Sequence, residues 1–161
     1  MLGVNILCVG KLKEAYWRDA CAEYQKRLGA YCKLSVIELA EAKLPQKPSD
    51  GEIKAVLAAE GKAMMQYLGQ KGCFNIAMCI EGGQMSSEAL AAKLEDAAVG
   101  GMSVVNIVIG SSFGLDPEIK RLCDMRLSIS KMTLPHQLAR VVILEQIYRA
   151  FSINAGAKYH K

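Results

Sequence analysis

Short apolar segments alternate with longer amphipathic ones along this chain, and the two kinds of segment predict different elements. Five short segments are either wholly apolar or alternate with a period of two, which predicts strands at residues 4–9, 34–39, 74–80, 104–109 and 125–130. The longer segments repeat apolar residues every three or four positions, which predicts helices. Because strands and helices alternate, the sequence predicts an α/β fold, an open parallel sheet with helices on both faces.

Capping residues locate several of the predicted helix ends. Ser49 followed by Glu52 is a capping-box pattern that predicts the start of a long helix. Asp116 followed by Pro117 is typical of an N-cap and a first helical residue. Gly29 is placed to end the first helix.

The last helix is the most apolar part of the chain. Pro135 is predicted to lie in its first turn, because proline fixes φ and lacks an N–H that the first turn leaves unused. Ile143 and Leu144 widen the apolar surface beyond one face, which favours a partner packed against this helix. A helix buried in the core of a monomer is the alternative that periodicity leaves open.

Composition indicates one ordinary domain. The 161 residues, 52% of them hydrophobic and 22% charged, suit a single domain that spans 1–161. No apolar run is long enough for a membrane span and no signal-peptide pattern opens the chain, so we expect a cytoplasmic protein. The six cysteines form no Cys-x-x-Cys pair and there are only two histidines, His136 and His160. We therefore expect reduced thiols and no metal site.

Positive charge is concentrated towards the C-terminal end. Residues 118–161 contain eight basic and three acidic residues, a surplus of five positive charges, whereas the whole chain carries only +4. A basic end on a near-neutral body is typical of proteins that contact a polyanion such as nucleic acid. Ordinary solvated lysines and arginines would give the same totals.

Glycines mark the loops where a ligand is expected. Ligands bind open parallel sheets beyond the carboxyl ends of the strands, and here glycines gather after the third and fourth strands, at Gly82, Gly83 and residues 110–114. The first loop lacks the Gly-x-Gly-x-x-Gly fingerprint and no Walker-A sequence occurs, which argues against a flavodoxin-like nucleotide module. Tight turns that bind nothing are the alternative reading of these glycines.

Several motifs, found in the same order along the whole chain, resemble those of one family. They are Val9-Gly10-Lys11-Leu12-Lys13, Val108-Ile109-Gly110, Ser130-Lys131-Met132-Thr133-Leu134-Pro135-His136, Glu145-Gln146-Ile147-Tyr148-Arg149-Ala150-Phe151 and Tyr159-His160-Lys161. On these motifs the chain resembles the SPOUT-class methyltransferases of the ribosomal RNA large-subunit methyltransferase H type.

This resemblance implies a C-terminal trefoil knot and a homodimer packed through the last helix. It also implies S-adenosylmethionine as methyl donor and, as acceptor, N3 of a pseudouridine in the 23S ribosomal RNA of assembled ribosomes. The cofactor contacts that it implies are Ile80, Gly110, Ile129, Ser130, Lys131, Met132, Thr133 and Leu134. The expected catalytic, RNA-facing set is His136, Arg140, Tyr159, His160 and Lys161, in which no general base is assigned.

Two positions depart from the family pattern. Ser111 stands where family members usually carry a second glycine, and a positive φ there would strain serine by about 1–2 kcal/mol. Lys161 stands where arginine is common, which keeps the charge but loses the bidentate fork. A SPOUT enzyme that acts on transfer RNA, and a non-catalytic RNA-binding protein of the same fold, are the alternatives that the sequence leaves open.

Overall fold

The computed structural model, which describes residues 1–160, contains one five-stranded sheet whose neighbouring strands all pair in parallel. The strands are β1 Gly3–Val9, β2 Lys33–Leu39, β3 Cys73–Gly83, β4 Val104–Ile109 and β5 Met125–Leu127, and their order in the sheet is β2-β1-β4-β3-β5. The helices are α1 Ala15–Leu28, α2 Asp50–Leu68, α3 Ser87–Val99, α4 Pro117–Leu122 and α5 His136–Asn154. The predicted α/β architecture is therefore confirmed.

Helices cover both faces of the sheet, as the sequence predicts. On one face, Val4, Ile6 and Cys8 of β1 join a core that includes residues of α1, α3 and α5. Leu7 and Val9 point to the opposite face and join a second core, built with residues of α2 and α4. Because both faces of β1 are buried, its sequence is a nearly continuous apolar run instead of an alternating one.

Three asparagines on neighbouring strands form a hydrogen-bonded row across the sheet. Asn5 Nδ2 donates to Asn106 Oδ1 at 2.9 Å, and Asn106 Nδ2 donates to Asn75 Oδ1 at 2.8 Å. The amides of Asn106 and Asn75 also donate to the carbonyl oxygens of Tyr67, at 3.1 Å, and Leu68, at 3.0 Å. Since buried amides need partners, the row helps to fix the register of β1, β4 and β3 against the end of α2.

The helix ends follow the predicted caps with one exception. The capping box of α2 is complete, with Glu52 N donating to Ser49 Oγ at 3.2 Å and Ser49 N donating to Glu52 Oε1 at 3.1 Å. Asp116 caps α4, whose first residue is Pro117. Pro135, however, lies just before α5 with a ψ of 143°, so the helix begins one residue later than predicted. The fixed φ of proline suits the cap position as well as the first turn.

Two expectations about the C-terminal region are wrong. β5 ends at Leu127 instead of continuing to residue 130, and beyond it the chain leaves the sheet. Ile143 and Leu144 add no exposed apolar surface to α5, because they are only 4% and 0% exposed in a single chain. The reason is that α5 lies between α1 and α3 and is covered on two sides. In residues 1–160, no helix has both the length and the hydropathy needed to cross a membrane.

Candidate functional site

A pocket of about 730 Å³ opens at the carboxyl ends of β3 and β4. Most of its lining comes from three parts of the chain: residues 78–81 at the end of β3, the loop 109–115 after β4, and residues 128–137 without Lys131. Lys120, Ala139 and Ile143 complete the lining. Open parallel sheets bind their ligands at this edge. The glycine-rich loop after β4 therefore lies where the sequence predicts a ligand.

Close backbone contacts explain two of the glycines at this edge. A Cβ at Gly110 would collide with the carbonyl oxygen of Gly114, and a Cβ at Gly82 would lie 2.8 Å from the backbone nitrogen of Leu127. Neither Gly110 nor Gly82 has a positive φ, so close approach is what these positions require. Gly114 does have a positive φ, of 87°, and its N–H closes the turn by donating to the Ser111 oxygen at 2.9 Å.

Seven of the eight cofactor contacts expected from the resemblance line the pocket. They are Ile80, Gly110, Ile129, Ser130, Met132, Thr133 and Leu134. Lys131 is the exception, since its side chain is exposed and does not contribute to the lining. The set is therefore brought together from three separate parts of the chain, with Lys131 outside it.

The pocket lining is mostly apolar or main chain. Its carboxylate, Glu81, is paired with Lys120 of α4, and this hydrogen bond lowers the pKa of Glu81. His136, the first residue of α5, also lines the pocket, and its side chain has no hydrogen-bond partner among residues 1–160. Such a lining suits a largely apolar ligand that is oriented by a few polar groups.

The side chains at the pocket do not form a nucleophilic centre. Cys79 lines the pocket, but burial raises the pKa of its thiol, which keeps the weakly nucleophilic protonated form at neutral pH. Ser111 donates its hydroxyl hydrogen to Glu60 and has no histidine partner within residues 1–160. Across that part of the chain there is also no cluster of three His, Cys, Asp or Glu side chains suited to a metal ion. The arrangement fits chemistry that depends on alignment of two bound reactants.

Glu60 of α2 is a buried carboxyl group directly behind the pocket loop. It is 5% exposed, and its Oε1 accepts a hydrogen bond from Ser111 Oγ at 3.2 Å. Its Oε2 is buried without a hydrogen-bond partner in the described chain, and burial raises the pKa of Glu60. No residue other than glycine has a positive φ among residues 1–160, so the strain considered for Ser111 does not arise. The hydroxyl group at this position has a partner of its own.

Arg140 is buried in the protein and does not face solvent. Its side chain is 4% exposed, and Nη1 donates to Glu38 Oε2 at 2.8 Å while Nη2 donates to the Gly10 oxygen at 3.1 Å. The guanidinium group thus ties α5 to the carboxyl ends of β1 and β2. In a single chain the group is enclosed and paired, and its contact with RNA stays an expectation from the resemblance.

The C-terminal tail folds back onto α5. Tyr159 donates its hydroxyl hydrogen to Glu145 Oε1 at 3.1 Å, and its ring meets that of Tyr148 with centroids 4.6 Å apart. His160 Nε2 lies 2.7 Å from Glu88 Oε1 on α3. The tail is therefore docked by specific contacts as far as residue 160.

The expected RNA-facing residues do not meet at one place in a single chain. Glu145, which anchors Tyr159, is nine residues along α5 from His136, or about 13 Å at 1.5 Å per residue. His136 lines the pocket, whereas Tyr159 and His160 lie farther along the helix. Lys161, the remaining member of the set, lies outside the described residues.

The comparison with known proteins decides the family. A family model described as a predicted SPOUT methyltransferase matches residues 2–160, which includes every segment of the pocket and the docked tail. The chain belongs to the SPOUT methyltransferase family. The prediction from the motifs is thereby confirmed at the level of the family.

Similar proteins cover the whole of this SPOUT methyltransferase. Ribosomal RNA large subunit methyltransferase H of Bifidobacterium adolescentis is 51% identical over 158 residues, which is 98% of this chain and 99% of the relative. The proteins of the same name from Bifidobacterium animalis subsp. lactis and Streptococcus equi subsp. zooepidemicus are 49% and 48% identical. They cover 99% and 98% of this chain, and 100% and 99% of their own lengths. The likeness therefore extends over nearly the whole of each chain.

Sequence reasoning missed two features of the SPOUT methyltransferase site. Glu60 lies inside an amphipathic helix, where a glutamate is normally read as solvent-exposed, and only the tertiary contact with Ser111 distinguishes it. Phe113 is a large exposed apolar residue that lines the pocket within the glycine-rich loop. Its position between glycines was the available signal, because an aromatic side chain in a polar turn requires a reason.

Proposed function

We propose that this SPOUT methyltransferase acts in the cytoplasm on assembled ribosomes. It would transfer a methyl group from S-adenosylmethionine to N3 of a pseudouridine in 23S ribosomal RNA. The observation that carries the proposal is the pocket in which the Gly110 turn and residues 128–134 converge. The substrate class is supported by relatives that are named for the large-subunit ribosomal RNA and cover 98–99% of this chain.

The lining of the pocket fits the proposed cofactor. The absence of a Cβ at Gly110 lets the loop after β4 close tightly against Gly114, and this tight loop forms one wall of the pocket. Ile80 and Ile129 provide apolar flanks, and Ser130 and Thr133 provide polar groups in the same lining. S-adenosylmethionine has no phosphate group, in agreement with the absence of a phosphate-binding loop after β1.

Alignment is the main task left to the protein. The bound sulfonium compound supplies an electrophilic methyl group, so that the chain needs to hold the acceptor nitrogen in line with it and to release the N3 proton. His136 is well placed to contact the acceptor nucleobase. It lines the pocket, and its side chain has no hydrogen-bond partner in residues 1–160. We propose that His136 contacts this base and that Tyr159 and His160 contact the RNA elsewhere.

A homodimer is supported by apolar surface at the mouth of the pocket. Ile80, Phe113, Ile129 and Met132 are large apolar side chains that line the pocket and remain exposed in a single chain. A second cavity of about 190 Å³, between α3 and α5, shares Ile129 with this mouth and extends the apolar area to α5. An apolar area of this kind favours burial against a second copy. The trefoil knot is proposed from membership of the SPOUT family alone.

The function is tested by supplying labelled S-adenosylmethionine with three acceptors: assembled ribosomes, free 23S RNA and bulk transfer RNA. Incorporation into ribosomes alone supports the proposal. Incorporation into transfer RNA would assign the enzyme to a different substrate class. Absence of incorporation, together with absence of cofactor binding by calorimetry, would leave a non-catalytic RNA-binding protein.

The role of the tail is tested by His160→Ala. The variant should transfer methyl groups more slowly and bind the cofactor with unchanged affinity, since His160 lies away from the pocket. Glu88→Gln is the matched control, because it weakens the contact that docks His160 and leaves the imidazole in place. Equal loss of cofactor binding and methyl transfer in His160→Ala would remove the tail from the RNA side of the mechanism.

A further inference from the structure

The loop between β1 and α1 and the first residues of α1 present two aromatic rings and two lysines, and the cofactor pocket uses none of them. We call Lys11, Lys13, Tyr16 and Trp17 the β1–α1 surface. Tyr16 is 64% exposed, and its ring lies 5.1 Å from that of Trp17 at an angle of 59°. Both lysines are exposed, and neither forms an ion pair within residues 1–160.

This loop is held in place by hydrogen bonds to its backbone. The Arg18 guanidinium group donates to the carbonyl oxygens of Leu12, at 3.2 Å, and Lys13. Arg140 donates to the Gly10 oxygen at 3.1 Å, and Leu12 packs against the core that contains α1 and α5. A loop fixed in this way loses little conformational entropy when it binds a partner.

The β1–α1 surface lies beside the entrance to the cofactor pocket. α1 and α5 follow parallel strands, pack together on one face of the sheet and therefore begin at the same edge. Arg140 of α5 donates to the Gly10 oxygen, so the loop that follows β1 contacts the first part of α5. His136, which lines the pocket, is four residues before Arg140 on the same helix. The loop that carries Lys11 and Lys13 therefore lies on the His136 side of the pocket.

We propose that the β1–α1 surface binds the single-stranded RNA that flanks the acceptor nucleotide. A flanking base would stack on the Tyr16–Trp17 pair, and Lys11 and Lys13 would contact phosphates. Residues 10–19 contain three basic and two acidic residues, so their net charge is small. Stacking therefore contributes the larger part of the binding free energy and phosphate contacts contribute a smaller part.

This inference rests on the proposed function, and two variants with matched controls test it. Tyr16→Ala should raise the KM for ribosomes about tenfold, because the ring on which a base stacks is lost. Tyr16→Phe keeps the ring and should leave this KM unchanged. The double variant Lys11→Ala, Lys13→Ala should weaken binding of a short labelled RNA. It should also reduce the slope of log affinity against log salt by about 1.4, or roughly 0.7 per phosphate contact.

The control for the lysine pair is Lys54→Ala, Lys62→Ala, in which two exposed lysines are removed from α2 on the opposite face of the sheet. This control should keep the RNA affinity and the salt slope of the unaltered protein. Every variant should bind S-adenosylmethionine with unchanged affinity, because the β1–α1 surface does not line the pocket.

The inference would be overturned by an unchanged KM for ribosomes in Tyr16→Ala together with an unchanged RNA affinity in the double lysine variant. A change of oligomeric state on sedimentation would overturn the inference too, because it would make this surface a contact between copies of the chain. Failure of the proposed function is a separate result. It would appear as absent methyl transfer in the unaltered protein, and direct RNA binding would then still decide whether the surface is used.

Discussion

Substitution of Arg140 distinguishes a structural role from an RNA-binding one. The guanidinium group is enclosed and joins Glu38 at the end of β2 to the Gly10 oxygen at the end of β1. Arg140→Met keeps the length and the apolar stem of the side chain but removes all of its hydrogen bonds. If the structural role is correct, the variant loses stability before it loses any contact with RNA.

The size of the loss follows from the surroundings of the ion pair. Removal of one partner from a buried pair costs about 3–5 kcal/mol, and an unpaired carbonyl such as that of Gly10 costs about 1–3 kcal/mol. Glu38 is 34% exposed, so water recovers a large part of the first cost. We therefore expect a decrease of about 3 kcal/mol in the free energy of unfolding, and of about 6–12 °C in Tm for a domain of this size.

The assay is urea unfolding followed by circular dichroism, with Glu38→Gln and the double variant as partners in a mutant cycle. Glu38→Gln should cost less, because the amide oxygen still accepts from Arg140. The double variant should cost less than the sum of the two single variants by about 1–3 kcal/mol. RNA binding is measured at urea concentrations below the unfolding transition of every variant, so that all of the proteins are folded. An Arg140→Met protein with unchanged unfolding and weakened RNA binding would refute the structural reading and restore Arg140 to the RNA-facing set.

Three further substitutions test the site and the fold. Gly110→Ala should abolish cofactor binding in calorimetry, because its Cβ would collide with the Gly114 oxygen; normal binding would contradict the pocket assignment. Asn106→Ala should lower the free energy of unfolding in urea by about 3 kcal/mol, as three hydrogen bonds of roughly 1 kcal/mol each are lost, and a cost below about 1 kcal/mol would show that the row is not stabilising. Burial raises the pKa of Glu60 in the native state above 4.5, the value expected in the unfolded state. The native state therefore keeps the proton to higher pH, and the protein loses stability as the pH rises from the unfolded pKa to the native one. Glu60→Gln should remove this loss, and its stability relative to the unaltered protein should therefore rise with pH in denaturant titrations; a difference that does not vary with pH would refute the argument.

Features that depend on neighbours in sequence were predictable. The capping box of Ser49 and Glu52 satisfies its own backbone groups within four residues, and Asp116 caps α4 in the same local way. The buried strands were recognisable because sheets covered on both faces leave an apolar run in the chain. Local chemistry and burial thus determine the order of elements, and that order determines the α/β class.

Features that depend on distant contacts were not predictable. Asn106 pairs with Asn5 and Asn75, which are 101 and 31 residues away, so nothing in one strand reveals its partners. The two-sided burial of α5 has the same origin, since its neighbours α1 and α3 come from separate parts of the chain. The residues of the pocket could be named beforehand only through the resemblance to a family, because glycine spacing identifies loops and not the side chains that meet across them.

What matters at position 111 is the side chain of Ser111 and not its backbone conformation. The sequence raised the question of a positive φ at Ser111, but Ser111 has an ordinary backbone conformation. The tight turn is formed instead by the positive φ of Gly114 and by the close contact between Gly110 and Gly114. What the serine adds is a hydroxyl donor directed at Glu60. Burial raises the pKa of that carboxyl group, and the Ser111 hydrogen bond opposes this effect. A glycine at position 111 would leave both oxygens of Glu60 without a partner in the described chain, which makes the serine a compensation for the buried acid.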